Sequence, residues 1–195
     1  MSIREPLLKG VRILDISEGI SGPFASKLLA DLGADTVKIE RPVFGDVSRT
    51  YGPFPKGIQD LEHSASFLYF NTSKESVVLD LQSEFGIDKF KKLLSIYDVV
   101  ISSQTGKSLE EQGIGFEVMR SINPKIILAT VTGFGSDGPY SGYESSHLVS
   151  CALGGWANNC GVPDREPLQA GGAITETLVG SYSAAATLLA IFGRL

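Results

Sequence analysis

The sequence predicts an α/β fold built on a parallel, doubly wound sheet. Short runs rich in β-branched residues alternate along the chain with segments that repeat apolar residues at helical spacing. The clearest unit is a strand at residues 11–16, a Gly-containing loop, a helix at residues 24–32 and a second strand at residues 35–40. Because such a crossover is right-handed and joins parallel strands, this unit predicts a Rossmann-like arrangement with helices on both faces of the sheet.

The rest of the chain continues this alternation in what we interpret as one domain. We predict further strands at residues 76–81, 98–102 and 125–132. We predict helices at residues 65–70, 84–95, 108–122 and 146–156, and from about residue 174 onward. Residues 41–64 contain several Pro and Gly residues, which predicts a long loop over the carboxyl edge of the sheet. Residues 178–195 lack a helix-ending Gly, Asn or Pro, so we expect this helix to pack on further elements and the isolated chain to self-associate or need a partner.

Composition and charge exclude several classes of protein. The 195 residues are 43% hydrophobic, and 17 Lys and Arg against 22 Asp and Glu give a net charge of -5, which disfavours nucleic acid as a partner. The cysteines and histidines (Cys151, Cys160, His63 and His147) show no metal-binding spacing, so we expect no metal site and a reducing, cytoplasmic location. The first ten residues lack the apolar region of a signal peptide. The sequence contains no uninterrupted stretch of about 18 apolar residues, so we expect no membrane span.

The predicted site lies beyond the carboxyl ends of the strands, where open parallel sheets bind ligands. Its walls are the loops at residues 17–23, 41–49, 102–107 and 133–142. One interpretation is the dinucleotide site of an oxidoreductase, because Glu40 stands about twenty residues beyond the first loop, where a ribose-binding acid is found. The loop itself, with Gly19, Gly22 and Pro23, does not match GxGxxG, and turn geometry alone also explains its glycines.

Several longer segments carry a more specific signal. The run LKGVRILDISEGISGPFASKLLADLGADTVKIERPVFGDVSR is followed by FNTSKESVVLDL, by INPKIILATVTGFGSDGPY and by a GGA stretch leading to Gly180. Together these segments resemble family III (CaiB/BaiF-type) CoA-transferases, which include formyl-CoA transferases, carnitine CoA-transferases and acyl-CoA racemases. The resemblance covers essentially all of residues 1–195. It implies the amino-terminal portion of the family's large Rossmann-like domain, without the small domain and the returning carboxyl-terminal segment.

The resemblance implies covalent catalysis by an enzyme carboxylate. In this family an Asp attacks an acyl-CoA thioester, passes through an anhydride and an enzyme-bound CoA thioester, and delivers CoA to an acceptor carboxylic acid. That Asp stands four residues before a Gly in a turn of small residues, and the matching position before Gly180 holds Glu176. The extra methylene moves the attacking oxygens by about 1 Å, which costs on the order of 100-fold in rate. The alternative for Glu176 is an ordinary acid early in a helix. His147 lies one residue from the His that the family's racemases use, and we interpret it as a packed or surface residue.

The resemblance also implies which residues contact CoA. The first loop meets the acyl and pantetheine part, and Arg41 and Lys74 match positions at the nucleotide end. The CoA-binding candidates are Glu18, Gly19, Ile20, Ser21, Arg41, Lys74, Ser103 and Gln104. Residues 102–107 depart from the family's ENFRPG-like segment, and Glu111 replaces a basic residue and would repel the CoA phosphates.

These implications lead to one preferred function and one alternative. The preferred hypothesis is a CoA-transferase whose substrates are acyl-CoA and a carboxylic acid acceptor, with no permanently bound cofactor. Its partner is a second copy, in the interlocked dimer typical of the family, or a second CoA-transferase domain or chain, without nucleic acid or membrane. The alternative is a degenerate, non-catalytic half that serves as a scaffold, because the nucleophile, the 102–107 loop and Glu111 all depart from the family.

Overall fold

The sheet has five parallel strands, in agreement with the sequence prediction. The structure is a computed structural model that describes residues 5–194. The strands are β1 (Arg12–Asp15), β2 (Asp35–Glu40), β3 (Glu75–Val78), β4 (Val99–Ser102) and β5 (Ile127–Thr130). Their order is β3-β2-β1-β4-β5, and every neighbouring pair is parallel. This is the strand order of a doubly wound fold. Strands β2 and β3 are added on one side of β1 and strands β4 and β5 on the other, so the switch point of the sheet lies between β1 and β4.

Helices connect the strands, and two of the predicted helices are divided. The helices of residues 5–194 are α1 (Ser21–Asp31), α2 (Ala65–Phe70), α3 (Glu84–Leu94), α4 (Gly106–Glu111), α5 (Phe116–Ile122), α6 (His147–Leu153), α7 (Trp156–Asn159) and α8 (Ile174–Arg194). The helix predicted at 108–122 is interrupted between α4 and α5, because Gly113 adopts a left-handed φ of 73°. The helix predicted at 146–156 ends with α6, and Gly155 at φ 76° separates it from α7. The predicted 41–64 loop contains two short 3-10 helices, Val47–Thr50 and Pro55–Gly57.

Apolar layers fill both faces of the sheet. On one face Leu14 of β1 packs with Phe90 of α3 and with residues of α4 and α5. On the other face Ile13 packs with Leu29 of α1 and Ile191 of α8. Because successive side chains of a strand point to opposite faces, these neighbouring residues of β1 enter different layers. The helices therefore cover both faces, as a doubly wound fold requires.

The strand register brings the carboxyl ends of the central strands together. Asp15 of β1 lies opposite Lys38 of β2 and Ile101 of β4. The loops after β1, β2 and β4 therefore open at one edge of the sheet. The 41–64 loop lies over this edge, as predicted, because its Asp46 accepts a hydrogen bond from the Gly19 N–H of the first loop (3.1 Å).

Helix α8 makes a close approach to α1 at Gly180. A Cβ at this position would lie 2.7 Å from the backbone oxygen of Ser21 and 3.1 Å from the side chain of Phe24, so a larger residue forces the helices apart. The sequence interpretation that places Gly180 in a turn is wrong, because Gly180 is buried inside α8. Its small size serves helix packing.

We expect Gly180→Ala to lower the free energy of unfolding by about 1–3 kcal/mol, because the added methyl group overpacks the contact between α1 and α8. Gly193→Ala is the matched control, since a Cβ there meets no heavy atom within 4 Å. Replacing that helical glycine should stabilise by up to about 1 kcal/mol. Urea unfolding followed by circular dichroism measures both variants, and equal effects would show that the close approach is unimportant.

The opposite side of α8 is apolar and exposed. Leu178 and Tyr182 are exposed on it, and Leu189 and Phe192 are 73% and 76% exposed. Within residues 5–194, α8 is the one helix long and apolar enough to cross a membrane by length and composition, and 22% of its apolar stretch is buried. Core helices of soluble proteins meet the same criterion. Self-association of the isolated chain, or its need for a partner, remains a prediction.

Candidate active site

A buried group of charges lies beneath the first loop, at the carboxyl ends of β1 and β2. The Asp15 carboxylate is 2.9 Å from the Lys74 ammonium and 3.8 Å from that of Lys38, and Lys38 is 2.7 Å from the Asp46 carboxylate. All four side chains are at most 2% exposed. Lys38 also donates to the backbone oxygen of Ser17 (2.8 Å), so the group ties the first loop to the sheet.

Burial and mutual contact together shift the pKa values of Asp15, Lys38 and Lys74. Burial alone would raise the pKa of Asp15, but Lys38 and Lys74 hold that pKa well below its usual range. Burial alone would lower the pKa of Lys38, but Asp15 and Asp46 raise it. Burial prevails at Lys74 and lowers its pKa to about 8, although Asp15 opposes the shift. The arrangement is therefore a network of ion pairs in which each charge depends on the others.

The Lys74 ammonium belongs to this network. Its ammonium donates to the Asp15 carboxylate (2.9 Å), the Pro23 backbone oxygen (2.8 Å) and Asn71 Oδ1 (2.9 Å), which occupies all three of its protons. In this arrangement Lys74 has no free donor for the nucleotide end of CoA, and its contact with CoA stays a prediction. Its partner Asp15 is 59 residues away, and such a contact leaves no local signal in the sequence.

The backbone of the first loop is also held within the protein. The Glu18 N–H donates to Ser103 Oγ (3.0 Å) and the Gly19 N–H donates to Asp46 Oδ1 (3.1 Å). Gly19 has a φ of 83°, which favours glycine. These two N–H groups are therefore already occupied within the protein.

A cavity of about 610 Å³ opens beside the first loop, the end of β2 and α4. Of the predicted CoA-binding residues, Glu18, Arg41, Ser103 and Gln104 line it. Residues 79–82, which follow β3, form a further wall that sequence reasoning missed. The Arg41 side chain is half exposed, and its Nε lies 3.5 Å from the Glu18 carboxylate. Burial raises the pKa of Glu18, and Arg41 opposes only part of this effect.

The α4 side of this cavity is uncharged. Gln104 Oε1 accepts hydrogen bonds from Ser108 Oγ (3.1 Å) and Gln112 Nε2 (2.7 Å), and both partners line the cavity. Glu111 does not line it: its side chain is 68% exposed and lies 3.9 Å from Lys107. The expected repulsion between Glu111 and the CoA phosphates is therefore not supported by its position.

A second cavity, of about 320 Å³, adjoins the first and shares Glu18 and Ser103 with it. The amino-terminal ends of α1 and α8 meet at this cavity, where Ser21 and Glu176 are lining residues. Helix amino termini carry partial positive charge and so favour carboxylates and developing oxyanions. The lining contributed by residues 5–194 contains no Lys or Arg.

Glu176 is held through one of its two carboxylate oxygens. Its Oε2 accepts a hydrogen bond from Thr175 Oγ1 (2.8 Å) and lies 2.8 Å from His147 Nδ1. The His147 Nε2 lies 2.9 Å from the backbone oxygen of Ala170. The Ala170 carbonyl raises the pKa of His147, and Glu176 adds to this effect. His147 is therefore more than the packed or surface residue that its sequence context predicts, because it contacts the candidate nucleophile.

The structure brings most of the predicted site residues to one edge of the sheet. Those that line one or both cavities are Glu18, Ile20, Ser21, Arg41, Ser103, Gln104 and Glu176. Gly19 and Lys74 line neither cavity. Sequence reasoning missed Thr175 and the contact made by His147. The position of His147 next to the racemase histidine was an available signal, whereas Thr175 had none.

The fold and the site define an α/β protein with a carboxylate-bearing cavity near the switch point of a doubly wound sheet. The sequence profile of CoA-transferase family III matches residues 8–195, so the chain belongs to that family. The resemblance identified in the sequence is confirmed.

Relatives and a solved structure agree with this membership. The succinate–glutarate CoA-transferase of Agrobacterium fabrum is 34% identical over 193 residues, which are 98% of this chain and 48% of the relative. The formyl-CoA:oxalate CoA-transferase of Streptomyces avermitilis is 35% identical over 187 residues, covering 96% of this chain and 44% of the relative. A CaiB/BaiF family protein from Brucella suis has a TM-score of 0.89 at 32% identity, covering 98% of this chain and 50% of that one. The chain thus spans about half the length of the proteins it matches.

Proposed function

We propose that the protein containing this chain is a CoA-transferase that moves CoA from an acyl-CoA thioester to a carboxylic acid, with Glu176 as its nucleophile. The observation that carries this proposal is the Glu176 carboxylate, which lines the second cavity with one oxygen bound by Thr175 and near His147. Its other oxygen has no hydrogen-bond partner in the described part of the chain. Membership of the family supports the same reaction. CoA enters as part of a substrate, so the reaction needs no permanently bound cofactor.

The two adjoining cavities suit the two ends of CoA. In this proposal the nucleotide end occupies the larger cavity, where the Arg41 guanidinium suits a phosphate by charge and donor geometry. The pantetheine arm passes between Glu18 and Ser103, which line both cavities. The thioester then reaches Glu176 in the second cavity. The helix amino termini there favour the acceptor carboxylate.

The proposed reaction divides one difficult transfer into easier steps. Glu176 Oε1 attacks the thioester carbon, CoA leaves as a thiolate, and a mixed anhydride forms. The thiolate then attacks the carboxyl carbon of Glu176, Cδ, and releases the donor acid, which carries Oε1 away. The acceptor carboxylate attacks the resulting Glu176 thioester and expels CoA. Finally the thiolate takes the acceptor acyl group from the second anhydride, which restores the Glu176 carboxylate with one acceptor oxygen.

The names of the relatives support dicarboxylic acids as the acceptor class, since they refer to succinate, glutarate and oxalate. The second cavity has no Lys or Arg from residues 5–194 to bind a distal carboxylate. We therefore assign that cation to another part of the assembly: the small domain and returning carboxyl-terminal segment, a second copy in an interlocked dimer, or a second CoA-transferase chain. In this proposal residues 1–195 are the amino-terminal portion of the large domain of a cytoplasmic enzyme.

A non-catalytic scaffold is the second candidate function. Arg41 is the single Lys or Arg that residues 5–194 contribute to the lining of either cavity, so this half offers few charges to the phosphates of CoA. Under this hypothesis a partner half supplies the nucleophile and the remaining CoA contacts.

A covalent adduct on the full-length protein distinguishes the two functions. The protein is mixed with succinyl-CoA, quenched in acid and treated with hydroxylamine, and its peptides are mapped by mass spectrometry. We expect a hydroxamate at Glu176, because hydroxylamine captures both an anhydride and a thioester. Glu166→Gln, which changes an exposed acid outside both cavities, should leave this signal intact. A hydroxamate found only on a partner polypeptide would favour the scaffold.

A further inference from the structure

The two oxygens of the Glu176 carboxylate have different surroundings. Oε2 lies 2.8 Å from both Thr175 Oγ1 and His147 Nδ1, whereas Oε1 has no hydrogen-bond partner within residues 5–194. Rotation about the Cγ–Cδ bond ordinarily makes such oxygens interchangeable. Here the rotation would break both contacts of Oε2. The site therefore distinguishes a held oxygen from a free one.

The contacts of His147 assign a proton to each of its ring nitrogens. A backbone carbonyl only accepts hydrogen bonds, so Nε2, which is 2.9 Å from the Ala170 oxygen, carries a proton. An ionised carboxylate also only accepts, so Nδ1 carries a proton towards Glu176 Oε2. The Thr175 hydroxyl lies 2.6 Å from Nδ1 and donates its own proton to the same carboxylate oxygen. With Glu176 ionised, Oε2 thus faces an imidazolium and a hydroxyl donor.

We propose that His147 and Thr175 form an oxyanion site for the protein's own carboxyl group, which holds Glu176 Oε2 through the catalytic cycle and leaves Oε1 alone to attack and be exchanged. This inference rests on the proposed function, in which Glu176 is the nucleophile. Negative charge collects on Oε2 in two steps, when the CoA thiolate attacks Cδ of the mixed anhydride and when the acceptor carboxylate attacks Cδ of the Glu176 thioester. In each step the Cδ–Oε2 double bond opens, and it forms again when the donor acid or the CoA thiolate leaves. Donors at 2.8 Å lie in the range at which oxyanion sites act.

The same geometry explains how a glutamate serves in place of the family's aspartate. Glu176 reaches His147 on α6, which is 29 residues earlier in the chain. A side chain shorter by one methylene would withdraw the carboxylate by about 1 Å, enough to weaken a hydrogen bond severely. The longer side chain and the two donors therefore form one unit.

An oxygen-18 experiment on the full-length protein tests the inference. The protein turns over succinyl-CoA many times with excess glutarate whose carboxylates carry oxygen-18, and the Glu176 peptide is then weighed by mass spectrometry. Each turnover replaces Oε1 with an oxygen from the acceptor, so we expect Glu176 to gain one heavy oxygen and never a second. Two heavy oxygens would overturn the inference, because Oε1 and Oε2 would then exchange roles. Turnover that leaves no heavy oxygen would instead refute Glu176 as the nucleophile, and with it the proposed function.

Matched variants test the two donors separately. Thr175→Val and His147→Gln should each slow CoA transfer on the order of 100-fold or more and allow a second heavy oxygen to enter Glu176. Thr175→Ser keeps the hydroxyl and should recover most of the rate that Thr175→Val loses, with a single heavy oxygen in Glu176. His63→Gln changes the other histidine, which is 61% exposed in the 41–64 loop, and should alter neither measurement. Full rates with a single heavy oxygen in both Thr175→Val and His147→Gln would contradict the inference.

The pH dependence of kcat gives a further measurement on the same variants. The titratable groups facing His147 are Glu176 from α8, Cys151 from its own helix (3.7 Å) and Glu18 across the cavity. Because Ala170 and Glu176 raise the pKa of His147, the imidazolium persists above the ordinary histidine range. We expect kcat to fall as the pH rises through this pKa, and His147→Gln to remove that limb. An unchanged limb in His147→Gln would exclude the charged donor.

Discussion

Replacing Glu176 by Gln is expected to abolish CoA transfer by the full-length protein, with a loss of at least about 10⁴-fold in kcat. The amide has nearly the same size and occupies the same place between Thr175 and His147, but it does not attack a thioester at a useful rate. Affinity for acyl-CoA should change little, because the larger cavity is untouched. Acyl-CoA product measured by liquid chromatography and mass spectrometry gives kcat and KM. Activity within tenfold of the unmodified protein would remove Glu176 from the mechanism.

Glu176→Asp separates the identity of the carboxylate from its position. The sequence alone predicts that the family's aspartate raises activity if only the reach of the side chain is wrong, and changes nothing if CoA affinity has been lost. The structure reverses this expectation, because His147 Nδ1 lies 2.8 Å from the longer side chain. We expect Glu176→Asp to lower kcat on the order of 100-fold with KM nearly constant. A gain in kcat would show that the site still fits aspartate better.

Lys38→Met is expected to lower the free energy of unfolding by about 3–5 kcal/mol. Lys38 is 2% exposed and lies between the carboxylates of Asp15 and Asp46, so its removal leaves buried negative charge with Lys74 as the remaining cation of the network. Methionine fills a similar volume, so the expected loss comes from the unpaired charge and not from a cavity. Urea unfolding of the full-length protein measures the change.

Lys107→Met provides the control for this substitution. Lys107 also faces a carboxylate, Glu111 at 3.9 Å, but its side chain is 84% exposed. Exposed ion pairs contribute about 0–1 kcal/mol, so this variant should unfold almost as the unmodified protein does. Similar losses in Lys38→Met and Lys107→Met would mean that burial of the network does not determine its contribution.

The fold could be predicted because its signals are local. Each strand is a short apolar run rich in β-branched residues, and the β1–α1–β2 unit at the start of the chain already implies the parallel, doubly wound sheet. The predicted helices that the structure divides are those in which one backbone angle decides whether the helix continues. Gly113 and Gly155 interrupt predicted helices through positive φ values, and a glycine in a helical pattern does not by itself reveal its φ.

The site could be predicted only in part, because its contacts join distant segments. The sequence segments that resemble the family place Glu176 at the nucleophile position, but they do not show that His147 reaches it from α6. Lys74 and Asp15 form the opposite case, since a lysine in a polar turn is ordinarily exposed and here it is buried against a carboxylate 59 residues away. Charge pairing across the fold therefore determines where both His147 and Lys74 lie.

The contacts that fix the first loop also bear on the conformational entropy of ligand capture. Ordering a mobile segment on binding costs about 0.5–1.5 kcal/mol for each immobilised side chain. In the free chain Lys38 already holds the Ser17 oxygen, and Ser103 and Asp46 hold the N–H groups of the next two residues. In the proposed function, a CoA thioester that arrives at this loop meets a preorganised wall. Little of its binding free energy is then consumed in ordering the loop, and correspondingly more remains as affinity.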